Sequence, residues 1–281
     1  MIFGEQRDLV IENIRNAAQA GEFQSKVEPD DPQLTPAQKK AILEKYLKSR
    51  NTRWYQCKCW FARRLANIAT RILNKNTQIV GMEKLEGLEG AMLTCNHFSP
   101  MDNTVVRHLT QKVGKKRLPI ISQLTNFAMP GLIGYLMNYG DTIPLGEDPH
   151  YVLQELPEIL GKCMDKNEWV LIYPEQEMWF HYRKPRPPMR GAYYFAAKLN
   201  RPVVSCFVEM RNLPEMDAQD FHKVQFTLHI LDVLYPDRSK SVRENSVQLC
   251  RRDEQLKKEA YERLYGKPLA YDFSLNDIAG K

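Results

Sequence analysis

The chain has 281 residues, enough to bury a full core, with 43% apolar residues and a formal net charge of +6. No stretch reaches the roughly eighteen uninterrupted apolar residues that a spanning helix needs; the nearest, Phe127 to Tyr139, is short and broken by Pro130, Gly131 and Gly134. The six cysteines, at 57, 59, 95, 163, 206 and 250, show no Cys-x-x-Cys spacing, so they read as reduced thiols and not as a zinc site or a disulfide framework.

Met1 to about Gly21 predicts a helix, and its acids Glu5, Asp8 and Glu12 set it apart from a secretory signal. Glu22 to Pro36 carries Pro and Asp and reads as a linker. From Thr35 to Asn76 eleven Lys and Arg stand against one acid, Glu44, so this segment carries +10 while the remainder is net acidic. Residues 37–75 predict one or two helices in which Trp54, Phe61, Leu65, Ile68 and Ile72 recur at helical spacing, an apolar stripe flanked by cations. An anionic bilayer surface attracts such a helix, each nearby cation contributing about 1 kcal/mol. The alternative is a helix packed on the rest of the chain. RNA would use the same charge, but no RNP-type aromatic strand or other nucleic-acid module accompanies it, and nucleic acid is not an expected partner.

Beyond residue 76, strands near 78–81, 91–95, 118–122, 141–145, 169–173, 202–209 and 224–234 interleave with helices near 100–113, 130–139, 149–166 and 189–199. A charged helix from about 241 to 265 closes the chain. The alternation predicts an α/β fold: a mostly parallel or mixed sheet covered by helices on both faces, preceded by the basic helical segment. The expected division is a helical, membrane-surface segment at 1–76 and an α/β domain at 77–281.

Asn96-His97-Phe98-Ser99-Pro100-Met101-Asp102 carries the chemistry. The apolar run 91–95 before it reads as a buried strand, so His97 falls at a strand's carboxyl end, where open α/β sheets place their ligands. Ser99 as N-cap, Pro100 at the first helical position and Asp102 at the third predict a helix entry of the capping-box type. From there the Asp102 carboxylate reaches back to the imidazole, fixes one tautomer, and leaves the other ring nitrogen free to take a proton. Taken alone, the same residues also suit a solvated histidine and a capping aspartate.

This Asn-His-x4-Asp pattern, after a strand and before a helix, resembles the first motif of the glycerolipid acyltransferases, the family of lysophosphatidate (1-acylglycerol-3-phosphate) acyltransferase. Two further blocks follow in order. Trp169 to Glu175, ending Tyr173-Pro174-Glu175, stands where the family has a strand and Phe-Pro-Glu-Gly, and Arg201 to Val208 stands for its apolar strand with a central Pro. The second block, Gly-x-Ile-x-x-x-Arg in many members, is matched only by Gly140 to Leu145. The resemblance covers residues 77 to 235 and implies transfer of a fatty acyl group from a thioester donor, acyl-CoA or acyl-carrier protein, to the hydroxyl of a lysophosphatidate-like glycerolipid. It implies no cofactor and no metal.

His97 is then the general base, Asp102 its orienter, and Glu175 an acceptor-binding or site-organising carboxylate, with Asn96, Ser99 and Pro174 beside them. The helix expected to begin at Pro100 is one source of oxyanion donors. In the family, arginines in the second and third blocks hold the acceptor's phosphate, whereas here the third block continues Gln176-Glu177-Met178 and the second has no arginine. Arg183, Lys184, Arg186 and Arg190 in the following proline-rich loop are the expected replacements, with a solvated basic loop as the alternative. A glycolipid or larger lysophospholipid acceptor, or a noncatalytic lipid-binding module of the same fold, are the other readings. A metal-dependent hydrolase is disfavoured, because His108, His150, His181, His222 and His229 form no His-x-x-x-His pair. The expected location is the cytoplasm, peripherally on the cytoplasmic face of the membrane.

Overall fold

The computed structural model describes residues 6–29, 32–218 and 220–281. The helix predicted from Met1 is seen as α1 (Arg7–Ala20), its first five residues lying outside the described ones; α2 (Pro36–Ser49) and α3 (Arg53–Leu73) follow. The remaining elements are β1 (Gln78–Val80), β2 (Ala91–Thr94), α4 (Asn103–Lys112), β3 (Ile120–Gln123), α5 (Gly131–Tyr139) and β4 (Thr142–Leu145). Then come α6 (Leu156–Asp165), entered through a π-helical turn at Tyr151–Glu155, β5 (Trp169–Ile172), α7 (Gly191–Leu199), β6 (Val203–Ala218), β7 (Phe221–Leu234) and α8 (Val242–Tyr265). No described helix is long and apolar enough to cross a membrane.

The strands form one mixed sheet in the order β1-β7-β6-β2-β5-β3-β4, parallel throughout except between β6 and β7. β2 and β5 are buried at every position because both faces are covered, which is why they read as continuous apolar runs without alternation. One face packs α6, α7 and α8 against Met92, Val170 and Val203. The other packs α4 through Val105, Val106 and Leu109 against Leu93, Leu171 and Val204. α8 starts at a capping box, Ser241 with Glu244, and stops at Gly266 in the left-handed region.

The N-terminal helices are part of this packing. Leu43 and Tyr46 of α2 join the core of the first face, and Arg63 of α3 is paired bidentately with Asp141, Nε to Oδ2 at 2.8 Å and Nη2 to Oδ1 at 2.9 Å. Arg117 reaches the same carboxylate, its Nε donating at 2.9 Å. Burial alone would raise the Asp141 carboxyl, but Arg63 and Arg117 hold it below the usual range. α1 packs with Trp179, Tyr182 and Ile278 behind the loop that follows β5.

The predicted stripe of α3 is turned outward. Its buried positions are Cys59, Ala62 and Thr70, while Trp54 and Ile72 are 70% and 71% exposed and Phe61, Leu65 and Ile68 lie exposed between them. Several element boundaries differ from expectation, among them that of β7, which begins at Phe221 and not at 224. α4 begins at Asn103 and not at Pro100, and β6 continues to Ala218, nine residues past the predicted end at 209.

Candidate active site

The site lies outside the carboxyl ends of β2, β3 and β5. His97 donates from Nδ1 to Asp102 Oδ2 at 2.7 Å, so Nε2 keeps its lone pair and is the nitrogen able to accept a proton. Asp102 is the N-cap of α4, yet its side chain caps nothing in the helix. It folds back: Oδ2 also accepts from the amides of Phe98 at 2.9 Å and Ser99 at 3.2 Å, and Oδ1 accepts from the Tyr173 hydroxyl at 2.6 Å. The expected capping box gives way to this arrangement because Ser99 Oγ accepts instead from the Met101 amide. The amides of Phe98 and Ser99 are thus committed to Asp102, that of Met101 to Ser99 Oγ, and that of Asp102 to Ser99 O. None of these four is left to stabilise an oxyanion, and the source expected at Pro100 is not found there.

Tyr173 was not picked out by the sequence reading. Its ring stacks on the His97 imidazole at 4.0 Å and 11°, while its hydroxyl bonds Asp102, so one residue touches both halves of the dyad. Burial, and then the Asp102 charge, push the phenol well above its ordinary value, which keeps it a donor.

Glu175 is buried and fully engaged. Oε2 accepts from the His97 amide at 3.2 Å and from Arg186 Nε at 3.2 Å, and Oε1 accepts from the Arg186 amide at 3.0 Å. It joins the loop after β2 to the loop after β5. Asn96 makes a two-way bridge with the backbone of Val208, at 3.1 Å and 2.8 Å, and anchors the end of β2 to β6. Pro174 lines the cavity beside the dyad, and its carbonyl accepts from the Met189 amide at 2.7 Å.

The loop cations do not gather at the dyad. Arg183 bonds the backbone oxygens of Met210 and Asn276. Arg186 is buried on Glu175 and on the carbonyls of Phe23 and Glu177, with its guanidinium over the Trp179 ring at 4.7 Å. Lys184 pairs with Asp272 and Asp277. Arg190 alone of the four lines the cavity in front of the dyad.

That cavity holds about 550 Å³, with His97, Asp102 and Tyr173 in its wall. From them it runs between α3 and α5, past Ala66, Ala69, Ile133 and Leu136, and beside α7, past Ala192 and Phe195. Gly134 leaves room for the turn that leads into α5, since a Cβ there would stand 1.7 Å from the Met129 carbonyl oxygen. Arg107, one of its few charged residues, was also missed in the sequence; the available signal was a cation on the otherwise buried face of α4, beside Val106 and Leu109. Among the described residues no group of three His, Cys, Asp or Glu is placed to hold a metal ion.

The His97–Asp102 pair thus opens on a mostly apolar cavity at the sheet's carboxyl edge. Residues 76–209 match the family model described as Acyltransferase. The fold is similar to the crystal structure of the 1-acyl-sn-glycerophosphate (LPA) acyltransferase PlsC from Thermotoga maritima, with 15% identity and a TM-score of 0.52 over 94% of this chain and 98% of that one. No curated protein matches the sequence. The match over residues 76–209 agrees with the resemblance to glycerolipid acyltransferases, and the solved structure shares the fold.

Proposed function

We propose that this enzyme moves a fatty acyl group from a thioester, acyl-CoA or acyl-carrier protein, to the free hydroxyl of a lysophosphatidate-like glycerolipid at the cytoplasmic face of a membrane. The observation that carries this reading is the His97–Asp102 dyad in the wall of a 550 Å³ apolar cavity. An alcohol is too weak an acid to ionise near neutral pH, so its proton must leave as the C–O bond forms, and His97 Nε2 takes it. The acceptor oxygen adds to the thioester carbonyl, and the tetrahedral intermediate collapses with loss of the thiolate. His97 then returns its proton to the thiolate or to solvent. Asp102 orients the ring and stabilises its cationic form, the logic of a serine triad with the substrate's hydroxyl as nucleophile.

Residues 1–76 supply the membrane-facing segment in this reading. α3 turns Trp54, Phe61, Leu65, Ile68 and Ile72 to the outside, flanked by the exposed Arg53, Arg64 and Arg71. Its inner side contributes Ala66 and Ala69 to the cavity, so a lipid leaving the bilayer has a short route to the dyad.

The commitment of Arg183 and Arg186 to internal partners favours a second reading, an acceptor without a phosphate monoester. A panel of lysophosphatidate, monoacylglycerol, a glycolipid and lysophospholipids, each offered with acyl-CoA and acyl-carrier-protein donors, separates the two. Highest kcat/KM with lysophosphatidate is the expected result. Preference for a neutral or larger-headed acceptor would transfer the assignment to the second reading, and absence of transfer to any lipid alcohol would contradict both.

A further inference from the structure

The wall of the cavity contains a buried cation with no ion-paired carboxylate among the described residues. Arg107 of α4 is 3% exposed; its Nε has no hydrogen-bond partner among the described residues, and Nη2 donates only to the Gly140 carbonyl at 3.4 Å. The carboxylate it would be expected to seek, Asp141, is already occupied by Arg63 and Arg117. Glu168, the other acid of the cluster, faces Arg117 at 3.4 Å. Three guanidiniums therefore meet two carboxylates, and the excess positive charge rests on the residue that lines the cavity. Asp141 attracts Arg107 through space but gives it no direct ion pair, and a buried cation left without one is disfavoured unless something anionic joins it. Burial lowers the Arg107 pKa, although a guanidinium stays charged near neutral pH.

The position is suited to a ligand engaged at His97. Asp102 is the N-cap of α4, so Arg107 stands five residues on, a rise of about 7.5 Å along the helix. Arg107 and the dyad line the wall of one and the same cavity. In a glycerolipid the reacting hydroxyl and the head-group phosphorus are only a few bonds apart. Asn103 and Thr104, in the same turn of α4, also line this cavity.

We propose that Arg107 holds the phosphate monoester of the acceptor, taking the part that Arg183, Lys184 and Arg186, committed elsewhere, do not, and thereby selects a phosphate-bearing lysolipid. This assignment rests on the lysophosphatidate reading and names the residue that gives it its specificity. Arg107→Met removes the charge while keeping most of the stem's packing; Arg107→Lys keeps a point charge without the fork. Initial rates are measured for both against lysophosphatidate, monoacylglycerol of the same chain length and the acyl-CoA donor, with a circular-dichroism melt of each protein. The expected result is a roughly 10- to 100-fold rise in the lysophosphatidate KM for Arg107→Met and a smaller rise for Arg107→Lys. The KM values for monoacylglycerol and acyl-CoA stay within about twofold. A lysophosphatidate KM unchanged in both folded variants overturns the role of Arg107 and leaves the acceptor assignment standing. A parallel rise for monoacylglycerol overturns it too, by showing a packing role, and a rise confined to acyl-CoA shows that the arginine binds a donor phosphate. Should Arg107→Met fail to fold, the Lys variant carries the same comparison. A wild-type enzyme that prefers monoacylglycerol refutes the acceptor reading itself.

Discussion

At the scale of single residues, the candidate site turns on how many partners one carboxylate has. Asp102 accepts from an imidazole, two amides and a phenol, so its orientation is over-determined and His97 can occupy only one rotamer and tautomer. Tyr173 adds a feature of its own, because its ring fixes the plane of the imidazole while its hydroxyl fixes the carboxylate. Tyr173→Phe keeps the stack and loses a hydrogen bond to a charged group, an interaction worth about 1.5–3 kcal/mol in full. Since only part of that is felt in the transition state, kcat is expected to fall roughly 5- to 50-fold with little change in KM. Tyr173→Leu, which loses both contacts, falls further. Steady-state kinetics of the two variants check this, and a Phe variant indistinguishable from wild type would remove Tyr173 from the positioning of the dyad.

At the scale of elements, α3 has two faces with separate tasks. Arg63 ties it to Asp141 at the start of β4, and Asp141 accepts this role in a left-handed backbone conformation, φ 67°, which is uncommon outside glycine. The opposite face holds the exposed stripe. Replacing Phe61 and Ile68 together by Glu removes two large apolar contacts and adds two negative charges, without touching a buried side chain. Cosedimentation with anionic vesicles is expected to show binding reduced at least about tenfold, with an unchanged melting temperature. Equal binding by the variant and the wild type would contradict membrane docking through α3. Much of this layer was legible in the sequence. The strand runs at 91–95 and 169–173 were evident because burial on both faces forces unbroken apolar stretches. The helical spacing of Trp54, Phe61 and Ile68 identified the stripe but did not show which way it faces, since an apolar face reads alike whether it meets core or lipid. The start of α4 was displaced because Ser99-Pro100 imitates a cap whose donors are used elsewhere. The extension of β6 past 209 was hidden by Pro214 and an exposed, polar course. Arg107 and the commitment of Arg186 to Glu175 depend on contacts distant in sequence, which no local pattern records.

At the scale of the molecule, the segment after β5 binds the site to both ends of the described chain. Trp179 donates its amide to the His97 carbonyl at 3.1 Å, His181 donates to that of Phe98 at 2.8 Å, and the Ala279 amide returns to the His181 carbonyl at 2.8 Å. Burial pushes the His181 imidazole down to about 4, outweighing the opposing effect of the Ala279 carbonyl, to which Nδ1–H donates at 3.0 Å. Its unfolded value is about 6.5, so between the two the unfolded chain binds the proton more readily. The neutral ring's contribution is therefore complete above pH about 6.5 and is lost as pH falls toward 4, an effect on the order of 3 kcal/mol. Denaturant titrations from pH 7 to 4 are expected to show a steeper loss of stability for wild type than for His181→Asn, Asn being chosen because residue 181 has φ 52°. Parallel curves would show that His181 does not govern this part of the pH response. The central claim, that the dyad performs acyl transfer, is tested most directly by the turnover of His97→Ala with an acyl-CoA donor and a lysophosphatidate acceptor, measured beside its circular-dichroism melt. Loss of a general base lowers the rate by about 10²–10⁴, so the account predicts a folded variant with turnover at or below about a hundredth of wild type. A folded variant that keeps more than about a tenth of wild-type turnover would contradict it.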